Sequence, residues 1–540
     1  MTTTPTPLLG NASDSVGAMP RPTTSTRGET DASLSQPGMT LVWRAAAAVF
    51  GLQFVGLLVW SWHLWTRFDL SSDMATFSQA WQQIGSGHLS PYETTFPWYY
   101  PHYGYPFYQS HLELMMWPLA LLHAVGASAF SLLVVQDLVL AGSGLVALRW
   151  GLELLDRHWP AAQRGAAWLG AGLIVLLVID PWTYWTASFD FHLQPIGTFF
   201  ALLAGRDIWL GRKRAWVWVV AVLMCGDVAA TYLVALGLAA LVTSPRTRRS
   251  GLVLVIVGVA WLGVVGLLHS GKGSSLSAGY GYLTGHTIGN GLGGVAAVVA
   301  AMLVHPSEPL RILWQRMSNM YQYVAGAGVL GIASPLGLAA VLVVLLPNAL
   351  NQPGIYVSHI GGFQNFFVAM FVAVGSVQLV TWLAHRTRFG LLLSGAIAAC
   401  ALILAVVTSV QVTTGDPIGI RQQFPAVNTS TAHELSEVAA QIPAQAEVIV
   451  SGPVAGRFGA RRWVYFFFSD STGQVVPVFG STVYVVVVPL KGTEPAAWVT
   501  SSMAAAAFMR SLGAHQIADQ DGVVAFAWHR PRTTGMLTFP

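Results

Sequence analysis

Asp69 and Asp73 stand four residues apart in the segment FDLSSDMATFSQAW. On a helix that spacing places both carboxylates on one face. There they could hold a divalent cation such as Mg or Mn through oxygen ligands, or one could take a proton from an attacking hydroxyl. A plainer role is open to the same residues, because Ser71, Ser72 and Asp73 are ordinary capping types for a following helix. His102, His111 and Glu113 belong to the aromatic stretch YETTFPWYYPHYGYPFYQSHLE. Its Tyr, Trp and Pro suit stacking against a sugar ring and a belt at a membrane surface equally well. Asp190 and His192 form the DFH of SFDFHLQP, Asp227 interrupts an apolar run at Cys225-Gly226-Asp227, and His359 lies in NQPGIYVSHIGGFQN. Asp227 would need a partner or a wet cavity, since an unpaired carboxylate at membrane depth is expensive. No Walker A loop, HExxH, nucleophile elbow or GxGxxG before a helix is present, so cytosolic nucleotide chemistry has no support.

The elements that position these groups must live in lipid. Charged residues make up 9% of the 540, against roughly 25% in an ordinary soluble domain. Hydrophobic residues make up 54%, which also excludes a disordered chain. The composition is that of a polytopic membrane protein. Its net charge of +4 is explained by cations at cytoplasmic span ends rather than by nucleic-acid binding. Cys225 and Cys400 both lie in apolar runs, which argues against a disulfide framework and against a cysteine metal site.

Residues 1–38 read as a disordered cytoplasmic tail and 39–410 as the transmembrane domain. Spans are expected near Ala45–Trp65, Ser128–Leu148, Ala166–Trp182, Leu193–Ile208, Leu252–Leu268, Ile288–Val304, Val324–Leu346, Phe363–Leu383 and Leu391–Val410. The stretch Ala215–Val242 has cations at both ends and reads as a broken or re-entrant pair with Asp227 at the break. That makes about eleven membrane segments, with the N-terminus inside and a long first outer loop over 66–126. The short apolar run Leu112–Leu122 reads as an interfacial or re-entrant helix in that loop. Residues 411–540 have the composition of a soluble domain, predicted as a small extracytoplasmic α/β unit. Its helices are expected at Thr431–Gln441 and Ala496–Leu512, and its strands at Glu447–Val450, Trp463–Phe467 and Val483–Val488. A closing hairpin turns at Asp521-Gly522. The fold class expected is therefore mostly α, a helical membrane bundle carrying a small α/β domain.

Several of these segments together resemble a known family. DMATFSQAW is similar to a DLGIFDQALW-type motif of the prokaryotic membrane proteins called domain of unknown function 2079. SHLELMMWPLALLHAVG resembles that family's next segment through His111, and LLVVQDLVLAG its following span through Gln136. SFDFHLQP resembles its EFHP motif through Phe191 and His192, and CGDVAATYLVALGL a KEDVALLVAGLGL-type stretch through Asp227. Ser78 stands where the family motif has a second acid, and Cys225-Gly226 where it has Lys-Glu. The family in turn resembles the C superfamily of membrane glycosyltransferases, with an acid just after the first span and often a C-terminal soluble domain.

That resemblance implies a glycosyltransferase of the bacterial cytoplasmic membrane. It would move a sugar from a polyprenyl-phosphate donor to an envelope glycan, lipid or protein on the outer face. Asp73 would be its base or metal ligand with Asp69 beside it. His102, His111, Glu113, Asp190, His192, Asp227 and His359 would shape the substrate site. Two other functions fit the same sequence: a transporter or lipid flippase built on the Asp227 break, and a non-catalytic envelope assembly protein acting through its C-terminal domain.

Overall fold

The computed structural model describes residues 37–95, 105–110, 112–158, 163–268, 275–289, 291–352, 354–357, 361–386, 390–415, 427–467, 473–488, 496–532 and 534–539. The chain is a mostly helical bundle with a small C-terminal sheet domain. Among the described residues six helices are long and apolar enough to cross a bilayer: Met39–Thr66, Phe130–Asp156, Ala167–Ser188, Arg248–Leu268, Gly362–Leu383 and Gly395–Val412. Their outward side chains, such as Leu52, Val59, Leu267 and Ile403, are exposed large hydrophobics, which only lipid would cover at low cost.

Helix Gln194–Trp209 matches the expected span Leu193–Ile208 in length, but other apolar segments are shorter than expected or divided. Leu292–Val304 and Ser307–Gln315 meet at a bend of 93°. The first of them has 13 residues, about 20 Å of helix, less than the hydrocarbon thickness. The predicted continuous span Val324–Leu346 is divided. Gly328 adopts φ 85°, and Ser334 caps a new helix by accepting from the Gly337 amide at 3.1 Å, with Pro335 in its first turn. An apolar run thus carries a hidden stop and restart.

The broken pair is present as helices Ala215–Met224 and Asp227–Thr243, separated at Cys225 and Gly226. Gly226 has φ 104°, a conformation that a side chain disfavours. The second helix then runs tightly along Arg248–Leu268. A Cβ on Gly237 would sit 2.7 Å from the Gly251 carbonyl oxygen, and one on Gly251 would sit 2.7 Å from that of Gly237. Small residues here let two backbones approach as membrane helices do.

The C-terminal domain has a five-stranded sheet. The strands lie in the order Val464–Phe467, Glu447–Ser451, Thr482–Val487, Val523–His529, His515–Gln520. Glu447–Ser451 pairs in parallel with both neighbours, and the last two strands form an antiparallel hairpin. Asp521 and Gly522 both have positive φ, 50° and 81°, which matches the twist a two-residue hairpin needs. Alternation along the strands separates two cores. Val448 and Val450 pack with Leu435 and Val438 of helix Thr429–Gln441, while Ile449 packs with Ala505 and Met509 of helix Ala496–Ser511.

The domain is docked on the segment after the first span. The Gly456 amide donates to the Leu70 carbonyl at 2.9 Å, and the Phe466 amide to that of Thr95 at 2.9 Å. Gln79 Nε2 donates to the Arg462 carbonyl at 3.0 Å. Gly459 lies so close that a Cβ there would meet the Ala75 Cα at 2.4 Å. Helix Ser72–Gly85, which carries Asp73, is held between the bundle and the domain.

Candidate active site

The first carboxylate to place is Asp190, because it organises the others. It follows helix Pro181–Ser188 and is 1% exposed. Its carboxylate accepts from the Ser71 amide at 2.9 Å, the Ser71 hydroxyl at 2.6 Å, and the amides of Asp73 and Met74 at 3.1 Å. Ser71 makes no side-chain cap of its own. A residue distant in sequence therefore supplies the anion that the first turn of helix Ser72–Gly85 requires. Burial, and then the neighbouring Asp73 charge, push the Asp190 carboxyl up, while the hydrogen bonds from Ser71 and Met74 pull it down.

Asp190 also fixes His192. The ring Nδ1 lies 3.0 Å from the Asp190 carbonyl oxygen, and the His192 amide donates to Gln136 Oε1 at 2.8 Å. Phe363 stacks on the imidazole at 3.7 Å between centroids, Phe189 at 5.0 Å, and Phe77 meets it edge-on at 5.7 Å. The far nitrogen, Nε2, is 3.4 Å from Asp73 Oδ2. The His192 side chain is 7% exposed and that of Asp73 is 37% exposed. A carbonyl oxygen can only accept, so the Nδ1 contact places a proton on Nδ1. A proton gained by the pair is then shared between Nε2 and the Asp73 carboxylate. The arrangement is a solvent-facing acid backed by an oriented imidazole, suited to taking up one proton.

Tyr356, in the single turn Ile355–Val357, joins this group. Burial raises its phenol pKa first, and the charges of Asp73 and Asp227 raise it further, which sets both acids within electrostatic reach of one hydroxyl. Asn365 Nδ2 donates to the Tyr356 carbonyl, and Asn348 Nδ2 to Asn365 Oδ1 at 2.9 Å. Asp227 opens helix Asp227–Thr243 at the break. Glu113 packs beneath that break, 2% exposed, where a Cβ on Gly226 would lie 2.9 Å from its Cγ. The Met115 amide donates to the Met224 carbonyl at 2.7 Å and clasps the two segments together. Burial and then Glu113 raise the pKa of Tyr108.

Asp69 points elsewhere. The helix begins at Ser72, so the shared helical face expected for Asp69 and Asp73 does not form. Phe68 has φ 55°, and the Asp69 carboxylate turns to accept from the Val427 amide at 3.3 Å. Burial lifts its pKa to about 7 against pulls from that amide and from Arg67. Asp69 and Asp73 are therefore not a shared ligand pair, and among the described residues no three His, Cys, Asp or Glu side chains are grouped to hold a metal. His102, His111 and His359 lie outside the described residues.

Asp73, Asp190 and His192 meet directly, Glu113 packs at the Gly226 break before Asp227, and the charges of Asp73 and Asp227 both act on Tyr356. Sequence reasoning missed Tyr356, although its loop was singled out for His359. It also missed Phe363, whose aromatic type is unremarkable in a membrane helix. An apolar cavity of about 380 Å³ between helices Gln163–Ile179, Gly362–Arg386 and Gly390–Gly415 is lined by residues such as Trp168, Leu173 and Leu402. None of the candidate residues lines it.

Bundle, docked domain and acid–histidine pair define a multi-pass membrane protein with a built polar site. The chain belongs to the family described as predicted membrane protein DUF2079, whose model matches residues 61–524. No curated protein sequence matches the chain. Among solved structures it is similar to the crystal structure of ArnT from Cupriavidus metallidurans bound to undecaprenyl phosphate. The identity is 13% and the TM-score 0.40, over 88% of this chain and 97% of that one.

Proposed function

We propose that this protein is a membrane glycosyltransferase, moving a sugar from a polyprenyl-phosphate donor to an acceptor hydroxyl of the cell envelope. The observation that carries the reading is the Asp73–His192 pair, 3.4 Å apart, with the acid exposed and the imidazole held from behind. In the reaction the acceptor oxygen attacks the anomeric carbon and forms the new glycosidic bond. The bond from that carbon to the phosphate oxygen breaks, and its electron pair leaves on the phosphate. The acceptor proton passes to Asp73 and is shared with His192 Nε2. Tyr356, whose phenol feels the charges of both acids, supplies a hydroxyl for orienting the sugar, and the covered rear wall of Phe363, Phe189 and Phe77 keeps the imidazole in one pose. The site opens on the outer face under this reading, and the α/β domain sits over it there.

The test is incubation of the purified full chain with polyprenyl-phosphate sugars of several kinds, following release of the free lipid phosphate and of glycosylated acceptor. Donor-dependent release that disappears in Asp73→Asn supports the reading. Substrate counterflow in liposomes without bond cleavage would replace it with the transporter.

A further inference from the structure

The turn Gly452–Phe458 and the residues after it carry Arg457, Arg461 and Arg462 within six positions, on the side of the domain that meets the first loop. The Arg457 guanidinium lies 4.3 Å from the Phe68 ring centroid and 5.6 Å from that of Trp65. The Arg461 guanidinium lies 5.8 Å from the Phe458 ring, and Phe458 and Phe68 themselves contact at 5.9 Å. Two cations therefore sit on one pair of touching rings. Arg461 is 7% exposed, donates from Nη1 to the Phe458 carbonyl at 3.1 Å, and has a buried Nε with no hydrogen-bond partner.

Arg206, also buried, is neutralised by Glu153. Arg457 and Arg461 have no such carboxylate among the described residues; Asp69, an acid in the same seam, acts on Arg67. Burial alone pulls both arginines down, Arg461 to about 10. Burying a guanidinium without a counter-charge is unfavourable, and an anion that offers it acceptor oxygens removes that penalty.

We infer that Arg457 and Arg461 form an anion site for a phosphate group at the seam between the α/β domain and the outer end of the first span. A guanidinium fork matches phosphate oxygens geometrically. Trp65 ends the span, and the exposed Trp60 and Trp62 precede it on the same helix, the residue types of a membrane–water boundary. A phospholipid headgroup and a soluble phosphate both offer the required chemistry. The site is separate from the Asp73–His192 pair and does not depend on the transferase reading.

The test uses the full chain and its thermal unfolding midpoint. One arm titrates inorganic phosphate in detergent against chloride at matched ionic strength. The other compares nanodiscs of phosphatidylglycerol with nanodiscs of phosphatidylcholine. Stabilisation by either probe is expected in the wild type, with apparent affinity about tenfold weaker in Arg457→Gln or Arg461→Gln, the loss of one charge-assisted contact. A response in the nanodisc arm alone identifies a lipid headgroup, and one to inorganic phosphate a soluble group. Arg461→Lys keeps the charge and most of the response, and covers the case in which Arg461→Gln does not fold. Arg510→Gln, at an exposed pair with Asp519, leaves it unchanged. No stabilisation by either probe, or full stabilisation in Arg457→Gln, overturns the proposal.

Discussion

Asp190 and Asp69 are both buried carboxylates beside the first loop, and their partners give them opposite consequences. Asp190 receives hydrogen bonds from three backbone amides and a hydroxyl, so its charge is what the helix terminus needs. Asp190→Asn keeps one acceptor oxygen and turns an NH2 toward donors. The expected loss is about 1–3 kcal/mol of stability, read by chemical denaturation, together with reduced transfer because Asp73 and His192 lose their common anchor. Asp69 receives one amide at 3.3 Å and pays for its burial. Its pKa is about 7 folded against 3.8 for the free side chain, so between those values the folded chain binds a proton that the unfolded chain releases. Its contribution is therefore fully present below about pH 4 and is lost as pH rises through about 7, a span of at most about 4 kcal/mol. Stability profiles over pH 4–8 are expected to fall less steeply in Asp69→Asn than in the wild type; identical slopes would contradict this role.

The elements were legible where a single interaction decides them. The break at Cys225-Gly226 was readable because cations flank an apolar stretch too short for two full spans. The Asp521-Gly522 hairpin was readable because its turn demands two positive φ values. The division of Val324–Leu346 was not readable, since Gly328 and Ser334 look unexceptional in a membrane helix and matter only through the cap they build. The start of helix Ser72–Gly85 was readable from Ser71, Ser72 and Asp73 as capping types, but its capping anion, Asp190, far along the chain, was not. Hence the paired-acid face of Asp69 and Asp73 looked plausible from spacing alone and failed in three dimensions. The Gly237–Gly251 crossing gives a test at this scale. Gly251→Leu forces a side chain into a backbone contact and is expected to cost about 1–3 kcal/mol or more. The readout is a lowered thermal midpoint in detergent, with Gly263→Leu, where a Cβ meets nothing within 4 Å, as the neutral comparison.

At the scale of the whole molecule, the α/β domain is part of the site's architecture. It closes over Leu70, Ala75 and Gln79, two to six residues from Asp73, through contacts that admit no side chain at Gly456 or Gly459. Removing residues 427–540 would uncover that face of the Asp73 helix while leaving the membrane helices long enough to insert. The truncated chain is expected in the membrane fraction with its transfer activity lost. Full activity in the truncation would mean that the domain serves another purpose.

Asp73 is proposed to take the acceptor's proton with His192 behind it. The direct measurement is the rate of transfer from a polyprenyl-phosphate sugar by purified Asp73→Asn and Asp69→Asn, each compared with the wild-type full chain. A loss of about 10²–10⁴-fold is expected for Asp73→Asn, the usual contribution of a positioned base, and only a few-fold change for Asp69→Asn. Equal rates for Asp73→Asn and wild type would contradict it.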